Sequence, residues 1–320
     1  MDRVFLKELS KKKRHIPQAT GYFTINNQDE TLFVKSTENL QRFICFYCDS
    51  DTNVPEIQAL IADIDYIEYK ETSSLIEAFL EEQMIIKEMK PKFNKIIKPW
   101  YNYVYLGVDF DKPPYFKITN DTTEDFYYIG PFRSSFWIND VLDTFADLFK
   151  IPRCDNPIEN RGCERLVQEL CLGFCQNKLG EALPEMIKKM ILMPNKELIT
   201  KLEIECEALF NDLEYQKGEE VKEQIRLLKR YYKHIMFFYT SQFIKDEFEV
   251  KERKIDVDNG MISRIDDISF ISCITKDDSK KENETLAYEK SEFDHRWIVF
   301  DFIFNTVPER LLDYTLNEEK

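Results

Sequence analysis

At 320 residues and 38.3 kDa the chain is long enough for two or three domains and for a sizeable buried core. A composition of 43% hydrophobic and 14% aromatic residues, with only 8 Gly and 12 Pro, excludes collagen-like, low-complexity and wholly disordered readings. The formal charge of −15 excludes duplex binding driven by bulk charge, so any nucleic-acid contact has to come from a local basic patch.

In chain order, the N-terminus carries the basic run Lys11-Lys12-Lys13-Arg14 and no apolar core of signal-peptide length. No run approaches the roughly 18 apolar residues of a membrane span. The expectation is a cytoplasmic protein with no membrane partner. Residues 20–35 predict a hairpin, because β-branched and aromatic residues flank the polar turn Asn26-Asn27-Gln28-Asp29-Glu30. Thr37-Glu38-Asn39-Leu40 opens a helix to about Tyr47, and alternation predicts a strand at Tyr66–Glu71. Ser73 or Ser74 caps a helix over Leu75–Met89, which Pro91 ends. Two aromatic strand-like runs flank Lys112-Pro113-Pro114, and Phe136–Phe149 is amphipathic. A cysteine-rich segment follows Pro152, helical patterns fill roughly 181–233, and short strands return from about 247 around the turn Asp258-Asn259-Gly260. A charged loop spans 276–285.

Cys154, Cys163, Cys171 and Cys175 lie within one short segment. Four thiolates so close in sequence can wrap one soft metal centre, an iron–sulfur cluster or zinc, which spacing alone does not distinguish. They can also act as small apolar core residues, with Cys171 and Cys175 on one helix face. Cys45 and Cys48 form a Cys-x-x-Cys inside an apolar stretch, which reads as a buried helix face.

Four segments, in order, resemble the N-terminal half of the UvrC family, the incision component of the bacterial ABC excinuclease. GYF at 21–23 followed by FVKSTENL at 33–40 is similar to the GIY-YIG nuclease hairpin. SSLIEAFLEEQMIIKEMKPKFN at 73–94 resembles the family's next helix and its exit. YYIGPF, LFKIPRC and CLGFC resemble the Gly-Pro-Phe strand and four-cysteine segment, and LEYQKGEEVKEQIRLLK at 213–229 resembles the UVR helical hairpin. The resemblance runs over residues 14–233. It implies an α+β fold: a GIY-YIG-like small sheet flanked by helices, a Cys-rich helical segment, a helical hairpin and a short β-rich C-terminal tail. The implied divisions are 1–100 for a degenerate GIY-YIG-like domain, 101–180 for the Gly-Pro-Phe and four-cysteine part, 181–240 for the UVR-like hairpin and 241–320 for an acidic tail.

Carried over residue by residue, the resemblance implies catalysis by two tyrosines that handle the attacking water, an arginine at the phosphate and a glutamate holding one divalent metal. Here the tyrosine positions are Phe23 and Phe33, the second-motif glycine is Lys35, the lysine after it is Ser36, and the arginine position is Phe43 with Arg42 adjacent. Tyr22 is one residue from its motif position and points to the opposite strand face. Glu82 and Asn94 match the family. Taken alone, Glu82 on an acidic helix reads as a solvated surface carboxylate. YYIG at Tyr127–Gly130 aligns with the Gly-Pro-Phe strand and not with the nuclease motif.

The residues after 233 are too few for the family's ribonuclease-H-like nuclease and helix–hairpin–helix region, and Asp256, Asp258, Asp266, Asp267 and Asp301 read as a solvated acidic hairpin. The expectation is a non-catalytic accessory of nucleotide excision repair. A UvrB-like partner would bind Leu213, Tyr215, Val221, Ile225 and Leu228, and DNA would meet the N-terminal basic run or Lys87, Lys90, Lys92, Lys95 and Lys98. One alternative is a GIY-YIG endonuclease making a single incision with Glu82, Arg42 and Tyr22, the only reading that needs a divalent metal at Glu82. Another is a metal or redox sensor built on the cysteines.

Overall fold

The computed structural model describes residues 1–8, 15–48, 52–112, 114–151, 153, 164–171, 182–270 and 285–308. In chain order the strands and helices are β1 (Asp2–Phe5), β2 (Gly21–Asn26), β3 (Thr31–Thr37), α1 (Leu40–Tyr47), α2 (Pro55–Asp63), β4 (Tyr66–Glu71) and α3 (Leu75–Met89). Next come β5 (Val104–Val108), β6 (Phe116–Thr119), β7 (Tyr127–Phe132), α4 (Ser135–Phe149), a single helical turn (Glu164–Val167), α5 (Ala182–Leu192), α6 (Lys196–Asn211) and α7 (Tyr215–Thr240). The chain then forms β8 (Asp246–Val250), β9 (Arg253–Asp258), β10 (Met261–Ile265), β11 (Ile268–Ser269), β12 (Leu286–Ala287) and α8 (Lys290–Thr306). The α+β class is as the sequence implies.

Contacts divide the chain into two compact units, the first being 1–99 with 243–273 and 294–312, the second 100–242 with 274–293 and 313–320. The first unit holds an antiparallel sheet in the order β1-β4-β2-β3. Phe23, Ile25, Phe33, Ile67 and Tyr69 project into a core closed by Leu40, Ile44 and Tyr47 of α1 and by Ile57 and Leu60 of α2. Gly21 is obligatory here, since a Cβ at that position would meet the Lys70 carbonyl oxygen at 2.2 Å and Leu40 Cδ1 at 2.9 Å.

Helix α3 packs on β2 and β3. Its start follows capping chemistry: Ser74 Oγ accepts from Glu77 N, while the Glu77 carboxylate accepts from Ser73 N and Oγ. The same unit holds a second antiparallel sheet, β8-β9-β10-β11. Its turn at Asn259 and Gly260 takes φ of 51° and 69°, the left-handed pair that a two-residue hairpin needs. Arg253 of this sheet pairs with Glu81 of α3 at 2.9 Å, and Ile262 N donates to His295 Nε2 of α8 at 2.9 Å. Residues 290–306 carry no periodic signal because α8 is apolar on several sides, with Phe293, Ile298, Val299, Phe300 and Ile303 all buried.

The second unit holds a sheet in the order β12-β7-β5-β6, with β12 parallel to β7. Phe132 of β7 sits among Trp137 of α4 and Tyr231, His234 and Phe238 of α7. Helices α6 and α7 form an antiparallel hairpin whose turn places Leu213 at φ 62°. Gly218 lets the pair approach: a Cβ there would meet the Phe210 ring at 3.0 Å.

Candidate functional site

Because β3 is an edge strand, its outward main-chain groups have no neighbouring strand to bond. Two side chains take that place. Asn94 Oδ1 accepts from Val34 N at 2.9 Å and its Nδ2 donates to Val34 O at 2.8 Å. One pleat on, Glu82 Oε2 accepts from Ser36 N at 2.7 Å and from Ser36 Oγ. The two residues aligned with the family's glutamate and asparagine thus supply partners for three main-chain groups of an edge strand.

Glu82 is only 4% exposed, which corrects the expectation of a solvated carboxylate. Its other oxygen, Oε1, faces Lys35 Nζ at 3.6 Å. Lys35 pairs with Phe23 across the hairpin, so it projects from the face that carries Phe23 and Phe33. These two rings are fully buried and pack at a tilt against Tyr47, with centroids 6.0 Å away for Phe23 and 4.8 Å for Phe33. Tyr47 was missed from sequence. It stands four residues after Phe43, on the same face of α1, and that spacing was the available signal. Burial pushes the Tyr47 phenol up to about 12, with the Lys35 charge acting in the opposite sense and Glu82 and Asp294 adding to the rise. At neutral pH it is a hydrogen-bond donor and not a base.

The divalent cation that the resemblance implies does not fit these residues. One carboxylate oxygen of Glu82 is committed to Ser36 and the other to an ammonium group. Among the described residues no group of three or more His, Cys, Asp and Glu side chains is placed to hold a metal ion.

Tyr22 lies on the other face, as its strand position predicts. Burial raises it to about 12, with Glu81 adding to the rise and Arg253 opposing it, and its register partner across the hairpin is Ser36, the residue that donates to Glu82. Arg42 is exposed, and its main-chain N donates to the α1 cap, Asn39. Phe43 packs partly buried against the core.

Lys87, Lys90, Lys92, Lys95 and Lys98 are all exposed, with Lys92 paired to Asp63 at 3.8 Å. The N-terminal basic run at 11–14 lies outside the described residues, as do Cys154, Cys163 and Cys175 and nearly all of the charged loop at 276–285. Cys171 is buried. Cys48 packs against the core of the first unit, and burial lifts its thiol to about 12, which fits the reading of Cys45 and Cys48 as helix-face residues.

The apolar stripe of the helical hairpin divides in two. Ile225 and Leu228 are buried and Val221 half-buried, whereas Leu213 and Tyr215 at the tip are 68% and 58% exposed.

The sequence profile of the UvrC-like GIY-YIG domain matches residues 19–95. UvrABC system protein C of Ruminiclostridium cellulolyticum is 24% identical over 236 residues, 70% of this chain and 38% of that protein. The protein of the same name from Rickettsia conorii is 29% identical over 224 residues, 66% of this chain and 35% of that one. The chain therefore spans about a third of the length of the curated relatives it matches. Among solved structures, the GIY-YIG N-terminal endonuclease domain of UvrC from Thermotoga maritima, bound to its catalytic magnesium, is 22% identical. That match covers 28% of this chain and 97% of that one, with a TM-score of 0.25. Residues 19–95 are a UvrC-like GIY-YIG domain, in a chain similar to UvrABC system protein C over 66 to 70% of its length.

Proposed function

We propose that this chain is a non-catalytic, UvrC-like component of nucleotide excision repair that works through contacts rather than by cutting. The observation that carries the reading is the state of the nuclease positions. Phe23 and Phe33 have no hydroxyl and are sealed in the core, and Glu82 is tied to Ser36 and Lys35. General-base chemistry needs a group that can take a proton from water at working pH, and Tyr47, held near 12, is not one. The hairpin α6–α7, with Leu213 and Tyr215 exposed at its tip, supports docking of a UvrB-like protein in the cytoplasm. The lysines from Lys87 to Lys98 offer DNA a local cationic face. We assign an iron–sulfur cluster or zinc to Cys154, Cys163, Cys171 and Cys175 from their spacing, a reading that metal analysis of anaerobically purified protein checks directly.

The test is a nicking assay on damaged duplex DNA with UvrB and magnesium, run beside a UvrB pull-down. No nicking, with UvrB retained by wild type and lost on Leu213→Asp, is the expected result; magnesium-dependent nicking abolished by Glu82→Gln overturns it. The second reading, a nuclease making one incision, is favoured by Tyr22, whose register partner Ser36 donates to Glu82, and it requires Lys35 to leave that carboxylate.

A further inference from the structure

We propose that the Lys35 ammonium is the resident counter-ion of Glu82 and stands where a UvrC-like GIY-YIG domain would take a divalent metal, so that this pocket binds no metal. The inference rests on the reading of the domain as non-catalytic and says what replaced the chemistry.

The resemblance puts a glycine at position 35, and a glycine there would leave the ground in front of Glu82 open. A lysine on that strand face, beside Phe23 and Phe33, sends its ammonium to 3.6 Å from Glu82 Oε1. The Lys35 side chain is 18% exposed and that of Glu82 5%, so the pair is largely withdrawn from water. Ser36 saturates the opposite oxygen with a main-chain and a hydroxyl donor. A metal ion entering at Oε1 would meet a like charge at contact distance in a low-dielectric pocket, and it would have to displace a cation tethered to the same strand as the donors of Oε2. The buried Tyr47 phenol feels the same pair, the Lys35 ammonium opposing the rise of its pKa and the carboxylates of Glu82 and Asp294 adding to it.

A structural ion pair and a metal site respond oppositely to substitution. In a metal site, losing the glutamate abolishes metal binding and relieves carboxylate crowding. In a buried ion pair, losing the glutamate leaves an ammonium uncompensated and lowers stability.

The experiment measures Mn2+ binding by the electron paramagnetic resonance of free Mn2+, together with Tm with and without MgCl2. The full-length chain is compared as wild type, Glu82→Gln, Lys35→Gly and the Lys35→Gly/Glu82→Gln double variant. We expect wild type to show no Mn2+ site that depends on Glu82 and no Tm rise with MgCl2. Glu82→Gln should lower Tm by about 4 °C or more. Lys35→Gly should gain one Mn2+ site that the double variant loses, and Lys35→Ala serves if the glycine variant does not fold. Saturable Mn2+ binding by wild type that Glu82→Gln removes overturns the proposal, as does a folded Lys35→Gly or Lys35→Ala protein that gains no site. Either result leaves the non-catalytic reading standing while nicking stays absent, and nicking without Mn2+ at Glu82 would sink that reading alone.

Discussion

Two hairpins with opposite fates organise this protein. In the β hairpin of the first unit every residue of β2 is buried, and the positions that would face a substrate, Phe23 and Phe33, lie in the core. In the helical hairpin of the second unit the chain around the turn is exposed, and Leu213 and Tyr215 stay outside any core of their own. The proposed docking of a partner would use the apolar side chains left in water at this turn, whereas the polar side chains drawn inward in the β hairpin serve the fold. One hairpin has been sealed and the other kept open.

The largest effect is expected at the base of the sealed hairpin. Gly21→Ala forces a Cβ into the Lys70 carbonyl of the central pairing, and should cost about 3 kcal/mol or more, read as a lower urea midpoint at unchanged slope. Acid should act next, through His295 of the first unit and His234 of the second, both held near 3 chiefly by burial. His295 is held neutral, at about 3, chiefly by burial and also by the Arg296 charge, against 6.5 in the unfolded chain. The folded pKa is depressed, so this contribution is intact above about pH 6.5. Below that the unfolded chain takes the proton first, and stability falls by about 1.4 kcal/mol per pH unit until the folded pKa is approached. His295→Gln, which keeps an acceptor for Ile262 N, should remove its share of that slope and leave the share of His234 in urea titrations at a series of pH values.

If the sealed hairpin is structural, restoring a hydroxyl there harms it. Phe33→Tyr should destabilise by roughly 1–3 kcal/mol, the cost of a buried hydroxyl without a ready partner, and bring no nicking. A stable Phe33→Tyr that nicks DNA would break the comparison. The smallest change belongs to the open hairpin. Leu213 sits at φ 62°, so Leu213→Gly should leave stability unchanged or raise it by up to about 1 kcal/mol while weakening retention of UvrB several-fold. Loss of stability instead would show that the tip is part of the fold.

Local grammar was the legible part of the sequence. The strand at Tyr66–Glu71, the helix at Leu75–Met89 with its Ser74 cap, the turn at Asn259-Gly260 and the opposite-facing Tyr22 all follow from spacing and turn chemistry within a few residues. The burial of Glu82 was not legible, because it depends on β3 being at the edge of the sheet, and strand order is a long-range property. Nor was the reach of Lys35, which required knowing which side of the hairpin Glu82 approaches. Helix α8 escaped for a different reason: with several sides buried, its residues show no alternation of any period.

The clasp of Asn94 and Glu82 on β3 also bears on how the protein behaves at high concentration. The strand reads TLFVKST, β-branched and aromatic with a single charge, and a row of unsatisfied main-chain groups on such a segment is a template for adding another chain. The two side chains close that row at Val34 and Ser36. They keep one molecule from becoming the next strand of its neighbour, so their loss should be felt as self-association, in light scattering, as well as in unfolding.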